Sequence, residues 1–364
     1  MADVVANRVL NRTLLDRQQL LRRCDLTVHE LVDHLVGLQA QDVVPPFIAL
    51  WSRIDGFDPA VVSAALDDRT LVRITLMRGT IHLVSAADAR RIAPHIQPEL
   101  EKIPFRKGFF FGATVGMDID DVRARGERLL GAEPVTAAEL RKRAAAEWPD
   151  RDSQATLQAL LYLLPVLQTP PRGKWKSNNR PTWSRIESWL GQPQDRSYPV
   201  DDLILRYLRA FGPASTMDMQ TWSKLVGLKE VVDRLGEQLR TYTDEHGRTL
   251  YDVADGVLAD PETPAPVRYL GWYDNALLSH KDRTRVMPPD LAVTPKSMAT
   301  NMSAVLVDGF VAGLYKISSS RDTATLTLSL GAKLPRRTLA ALEDEGLALV
   351  RFLEPDKSPA FEIE

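Results

Sequence analysis

The chain has 364 residues, of which 44% are hydrophobic and 26% charged, with a formal net charge of −2. That length exceeds one ordinary core and predicts two or three domains, while the composition is that of a globular protein. No stretch reaches the roughly eighteen uninterrupted apolar residues of a membrane span, and the polar start has no secretory core, so a cytoplasmic protein is expected.

The single cysteine, Cys24, excludes an internal disulfide framework and a cysteine-based zinc site. His29 and His34 fall on one predicted helix, but their spacing does not stack them like an i, i+4 metal pair, and no metal site is expected. The net charge argues against a whole-surface nucleic-acid binder, so local charge has to carry any such role.

In chain order, three capping-box patterns mark helix starts: Thr27 with Glu30, Thr136 with Glu139, and Ser215 with Asp218. Each follows an amphipathic segment, Arg12 to Arg23, Asp118 to Leu130 and Val200 to Phe211, across a short turn. Downstream of each, the period shifts towards two. The first predicted hairpin is Leu71 to Leu76 with Thr80 to Val84 around Gly79. The second is Val166 to Gln168 with Thr182-Trp183 around the loop Pro170 to Pro181, and the third is Leu239 to Thr243 with Thr249 to Val253. Helix, turn, helix and hairpin make a winged helix, and one such pattern is weak where its ordered recurrence is not.

Prolines 261, 264, 266, 288 and 289 break up a crossing segment, Ser303 to Ile317 and Thr323 to Leu330 alternate like strands, and Arg337 to Phe352 reads as a closing helix. The expectation is an α+β chain of three tandem winged-helix motifs (1–100, 101–195 and 196–260), followed by the crossing segment and a β-rich platform (261–364).

Charge concentrates in the second hairpin loop, Arg172 to Arg185, which holds five basic residues and no acid. Arg172, Lys174, Lys176 and Arg180 suit phosphates, Asn178 and Asn179 suit phosphate or base edges, and Trp175 offers a stacking face. The competing reading is a solvated loop whose tryptophan tucks against the core. Lys102 and Lys107 flank a second basic turn beside Phe105 and Phe109-Phe110-Phe111, where packing under a helix is the stronger reading.

On the helix predicted after Thr27, Gln39 continues the apolar positions Leu31, Val32, Leu35 and Val36 and so aims an amide at the buried face. Gln41 would point about 200° away on an unbroken helix. Pro45 and Pro46 indicate that the helix is already ending, and the two amides converge if the backbone unwinds near Ala40.

Here the sequence resembles the AlkZ-like winged-helix DNA glycosylases, a family that includes YcaQ/AlkX-related members. The resemblance rests on Leu38-Gln39-Ala40-Gln41-Asp42, on Leu76 to Val84, on Phe211-Gly212-Pro213-Ala214 with Trp222, and on Asp274-Asn275-Ala276-Leu277-Leu278 leading to His280, Asp282, Arg283 and Arg285. It implies hydrolysis of the N-glycosidic bond of alkylated purines in double-stranded DNA, with no metal or organic cofactor. The family's glutamine-aliphatic-glutamine signature maps onto Gln39, Ala40 and Gln41, with Ala40 smaller than the usual middle residue. Some members unhook bulky adducts or interstrand crosslinks as self-resistance to antibiotics.

A neutral amide is no general base near pH 7, but an N7- or N3-alkylated purine is already cationic and leaves readily, so a placed water and a stabilised oxocarbenium-like sugar suffice. Asp42 is a weaker candidate base. A crosslinked base cannot flip free of its partner, which calls for an open channel such as a curved row of winged helices. Arg78, Asn275, Arg283 and Arg285 are candidate DNA contacts, and His82 a weaker one.

A non-catalytic winged-helix regulator is the alternative, yet Leu140 to Glu147 is rich in charge and poor in the Asn and Gln that read base edges. A protein that sequesters the alkylating agent without touching DNA is a third reading.

Overall fold

The predicted helix starts form through the bonds their residue types allow. Thr27 Oγ1 accepts from the Glu30 amide at 3.3 Å while Glu30 Oε2 accepts from the Thr27 amide at 2.8 Å, closing a full box over the helix Val28–His34. Ser215 and Asp218 do the same for Thr216–Ser223. At Thr136 only the forward bond forms, to the Glu139 amide at 3.1 Å, because the Glu139 carboxylate pairs with Arg143 instead.

The computed structural model describes residues 3–106, 114–289, 291 and 303–364. The aromatic run Phe109-Phe110-Phe111 and Lys107 lie outside the described residues. The preceding amphipathic helices run over Asn7–Arg17, Ile119–Leu130 and Val200–Phe211, the first starting and ending earlier than its pattern suggested. A further helix stands before each hairpin, at Pro59–Asp67, Ser153–Leu163 and Leu228–Leu235.

The hairpins are β3 (Leu71–Thr75) with β4 (Ile81–Ser85), β6 (Val166–Thr169) with β7 (Thr182–Arg185), and β8 (Leu239–Asp244) with β9 (Thr249–Val253). The first two do not stay separate. β3 pairs antiparallel with β6, Arg73 opposite Gln168, and with β2 (Leu38–Gln39) and β5 (Val135–Thr136) they form one six-stranded sheet in the order β2-β4-β3-β6-β7-β5. Each hairpin thereby covers an edge that the other would leave with unpaired amides and carbonyls.

The third hairpin takes β1 (Asp3–Val5) as a parallel neighbour. Five strands, β10 (Arg268–Tyr269), β11 (Ser303–Val307), β12 (Phe310–Ser319), β13 (Thr323–Leu330) and β14 (Ser358–Ile363), make the C-terminal platform. The closing helix Arg336–Leu353 buries Leu342, Leu349 and Val350 against it.

The fold is α+β, with apolar clusters of their own within 28–83 and within 122–183. One apolar cluster runs from Leu14 and Leu15 through Val72, Ile92, Tyr207 and Trp222 to Leu314. Ala86–Leu100 contributes to it despite Pro94 and Pro98 inside the helix, because Ala89, Ile92, Ala93 and Ile96 keep one buried face. Among the described residues, no helix is long and apolar enough to cross a membrane.

A fully buried ion pair ties the crossing segment to this frame. Arg53 donates from Nη1 to Asp274 Oδ2 at 2.8 Å and from Nη2 to Oδ1 at 2.7 Å, while its remaining donors reach the Gln18 and Ala49 carbonyls. Removing one partner of such a pair strands the other charge. Asp274→Ala is expected to cost about 3–5 kcal/mol, read as a lower urea midpoint.

Candidate active site

The helix Val28–His34 does not continue to Gln39. Val36 takes φ 53° and Gly37 φ 92°; the Val36 amide donates to the Asp33 carbonyl at 3.1 Å and the Gly37 amide to Val32 at 2.8 Å. This is a Schellman ending with valine in the left-handed position that glycine usually fills, at a cost of about 1–2 kcal/mol. Complete burial of Val36 in the main core holds it there. At Gly37 an added Cβ would lie 2.5 Å from Val84 Cγ1, so only glycine fits.

Beyond this turn the chain is extended, with Leu38 opposite Leu83, Gln39 opposite His82, and the Ala40 amide donating to Ile81 at 2.6 Å. Residues two apart on extended backbone share a face. Gln39 and Gln41 thus stand on a strand and the bend that follows it, not on a helix unwinding at Ala40, which corrects the sequence expectation.

Gln39 is only 7% exposed, whereas Gln41 is exposed. Gln39 Oε1 accepts from Arg78 Nη2 at 2.8 Å. Gln41 Oε1 accepts from the Ile81 amide at 3.1 Å, the donor that a regular ladder would direct to the Ala40 carbonyl. That carbonyl is taken by Arg73 Nη2 at 2.8 Å. Each glutamine oxygen keeps a second lone pair and each amide its NH2 donors.

Arg78 reaches Gln39 from the tip of the first hairpin. Arg78 and Gly79 take φ 60° and 69°, and the Thr80 amide closes onto Met77 at 3.2 Å, the two left-handed residues of a type I′ turn. Arginine is a costly choice where asparagine is favoured. In return its guanidinium bonds Gln39, the Trp222 carbonyl at 3.2 Å and His82 Nε2 at 3.3 Å. No carboxylate forms an ion pair with it among the described residues. Burial lowers its pKa to about 10, with Arg283 adding repulsion, and it stays charged at neutral pH.

His82 is buried, and burial together with Arg78 pulls its pKa down to about 3. The neutral ring donates from Nδ1 to the Thr80 carbonyl at 2.9 Å, which leaves Nε2 as the acceptor facing Arg78. Asp42 turns its Oδ1 to the Val43 amide at 2.5 Å.

Several candidate DNA contacts are placed elsewhere. Asn275 is buried and donates to the Gly37 carbonyl at 2.7 Å, so it braces the turn before Gln39 and does not face DNA. Arg285 is buried with Nη1 on the Pro213 carbonyl. The Trp175 ring packs against Phe47 and Phe352, at 4.8 and 5.0 Å between centroids, and is no stacking platform. Lys174 pairs with Asp67 at 2.6 Å and Lys176 lies 4.0 Å from Glu354, so the basic loop is folded back on its own protein. Arg172 is half-buried, its Nη1 on the Asn179 carbonyl, while Asn178, Asn179 and Arg180 remain exposed. Arg283 is half-buried and its charge is felt at Arg78.

Residues 32–352 match the family described as DNA glycosylase AlkZ-like. The chain belongs to the AlkZ-like DNA glycosylase family. It is an enzyme of that class. Among curated proteins it is 24% identical over 325 residues to an interstrand DNA cross-link repair glycosylase of Streptomyces sahachiroi, covering 83% of this chain and 85% of that protein. Among solved structures it superposes on the Streptomyces sahachiroi DNA glycosylase AlkZ with a TM-score of 0.77 at 19% identity, covering 99% of this chain and 100% of that one. At that identity the structural likeness speaks for the fold.

In this AlkZ-like enzyme the sequence reading overlooked Arg73, a fully buried strand residue that supports the carbonyl between the two glutamines. Its one legible signal is a charge where Leu71, Val72 and Ile74 demand an apolar strand. Burial lowers its pKa to about 10, with repulsion from Arg172 as the second cause.

Two outcomes follow from Arg78 and His82. Arg78→Asn keeps a residue suited to the turn, so the melting temperature should hold while base release slows roughly 10- to 100-fold. The His82 imidazole protonates near pH 6.5 when unfolded but only near 3 when folded, so the unfolded state binds more protons as pH falls and stability is lost below about 6.5. Urea unfolding at pH 7 and pH 5 should show His82→Gln losing about 2 kcal/mol less than the parent over that interval.

Proposed function

We propose that this enzyme hydrolyses the N-glycosidic bond of purines alkylated at N7 or N3 in double-stranded DNA, bulky and interstrand-crosslinked adducts included. The observation that carries this reading is the pair of neutral amides, Gln39 at the end of a short strand and Gln41 in the bend that follows, both bonded to the first hairpin, one nearly buried and one open. Such a pair can orient a water and offer carbonyl oxygen to a sugar developing positive charge. It suits a leaving group that is already cationic and needs no strong acid or base. Neutral His82 and charged Arg78 add no general base to the set.

The printed name of the Streptomyces relative supports crosslinks as substrates. Three winged-helix units set in a curve would leave a channel to a base that cannot be flipped out. The enzyme acts in the cytoplasm on the nucleoid, as repair or as self-resistance to a DNA-alkylating natural product. Membership of a glycosylase family sets aside the non-catalytic regulator.

Base release from duplexes carrying 7-methylguanine, 3-methyladenine or a bulky N7 adduct tests the assignment. Wild type should release at least one of these bases and leave unmodified purine in place. Gln39→Ala and Gln41→Ala should each lower kcat roughly 10²- to 10³-fold with DNA binding retained. Full activity in both variants, or no release across the panel, contradicts the assignment.

A further inference from the structure

A cleft of about 410 Å³ lies between the tip of the first hairpin and the helix Thr216–Ser223. Four cations line it, Arg78, Arg106, Lys224 and Lys281, against a single carboxylate, Glu99, among the described lining residues. Glu99 is already engaged by Lys102 at 2.5 Å and lies 3.9 Å from Arg106. These cations come from four distant stretches of sequence, so the fold has assembled them. Burial and repulsion from Arg78, Lys281 and Arg106 push the Lys224 ammonium below its ordinary pKa. An unneutralised group of like charges costs stability unless an anion relieves it.

The backbone agrees. Lys224 ends its helix at φ 68°, a left-handed position where glycine or asparagine would be cheaper, and it is held there with its side chain exposed. Strain kept at a surface cation points to use. Beside it Met217 and Val226 expose 53% and 65% of their surface, an apolar margin suited to sugar and base rather than to a bare inorganic ion.

We propose that this cleft seats a backbone phosphate of the DNA strand, adjacent to the nucleotide held at Gln39 and Gln41. Arg78 sets the register, because the same residue lines the cleft and bonds Gln39 Oε1 at 2.8 Å. A phosphodiester drawn to Lys224 and Lys281 places its neighbouring sugar against the amide pair. Phosphate contacts position the duplex without reading its sequence, as an enzyme that meets lesions in any context requires. The assignment rests on the glycosylase reading for what lies next to the phosphate, but the binding measurement below does not.

The experiment is duplex binding by fluorescence anisotropy with undamaged DNA, from about 50 to 200 mM KCl, for wild type and the Lys224→Gln/Lys281→Gln double variant. Each lost phosphate contact should reduce the slope of log K against log salt by about 0.9. The Lys224→Arg/Lys281→Arg variant should keep the wild-type slope, and matching melting curves exclude misfolding.

An unchanged slope in the glutamine variant overturns the proposal, as does failure of the wild type to bind duplex. Saturable binding of inorganic phosphate that is lost in the glutamine variant but does not compete with duplex at matched ionic strength also overturns it, since the site would then serve a free anion. Base release by wild type with an unchanged slope leaves the glycosylase reading standing without this cleft. A reduced slope with no base release leaves the cleft standing without that reading.

Discussion

Everything at the candidate site depends on two consecutive left-handed residues, Val36 and Gly37, that stop a helix and start a strand. Had the helix continued, Gln39 and Gln41 would diverge by about 200°. Because the chain runs as a strand against β4 and then bends, both side chains bond the first hairpin, Gln39 at Arg78 and Gln41 at the Ile81 amide. Val36 bears the strain, and its burial in the main core makes the turn inseparable from the folding of the whole protein.

Around that strand the molecule has placed cations where apolar residues would be cheaper. Arg73 sits in the sheet beneath Ala40, and Arg78 occupies a turn position that asparagine favours. Both lack an ion-pair carboxylate among the described residues. Arg78 is additionally satisfied by the Trp222 carbonyl, which couples the first hairpin to the helix Thr216–Ser223 across a distance of more than a hundred residues of chain. Asn275 reaches the same turn from the crossing segment, and Arg53 with Asp274 anchors that segment. Four remote parts of the chain therefore fix the geometry of two amides.

Much of this architecture was legible in the sequence, for local reasons. Capping residues act within four positions and alternation acts along a strand, so Thr27, Ser215 and all three hairpins stood out. The helix stop at Val36 was hidden because valine is the wrong residue for its conformation, and Gly37 stands one place later than usual. Pairing of β3 with β6 depends on an edge-to-edge contact that no local pattern records. The glutamines were identified through family resemblance, while their bonds to Arg78 and to the Ile81 amide depend on the strand and bend that the helical pattern hid. The partners of Lys174, Lys176 and Trp175 were not legible, because Asp67, Glu354, Phe47 and Phe352, which engage them, are distant in sequence.

We propose that Gln39 and Gln41 together hold one solvent molecule beneath the departing base. A structure of the enzyme bound to duplex DNA carrying a cationic azasugar in place of the target nucleoside tests it most directly. A single ordered water should lie within hydrogen-bonding distance of both side-chain amides and next to the position of C1′. An azasugar seated away from Gln39, or the two amides turned from each other with no shared water, would contradict it.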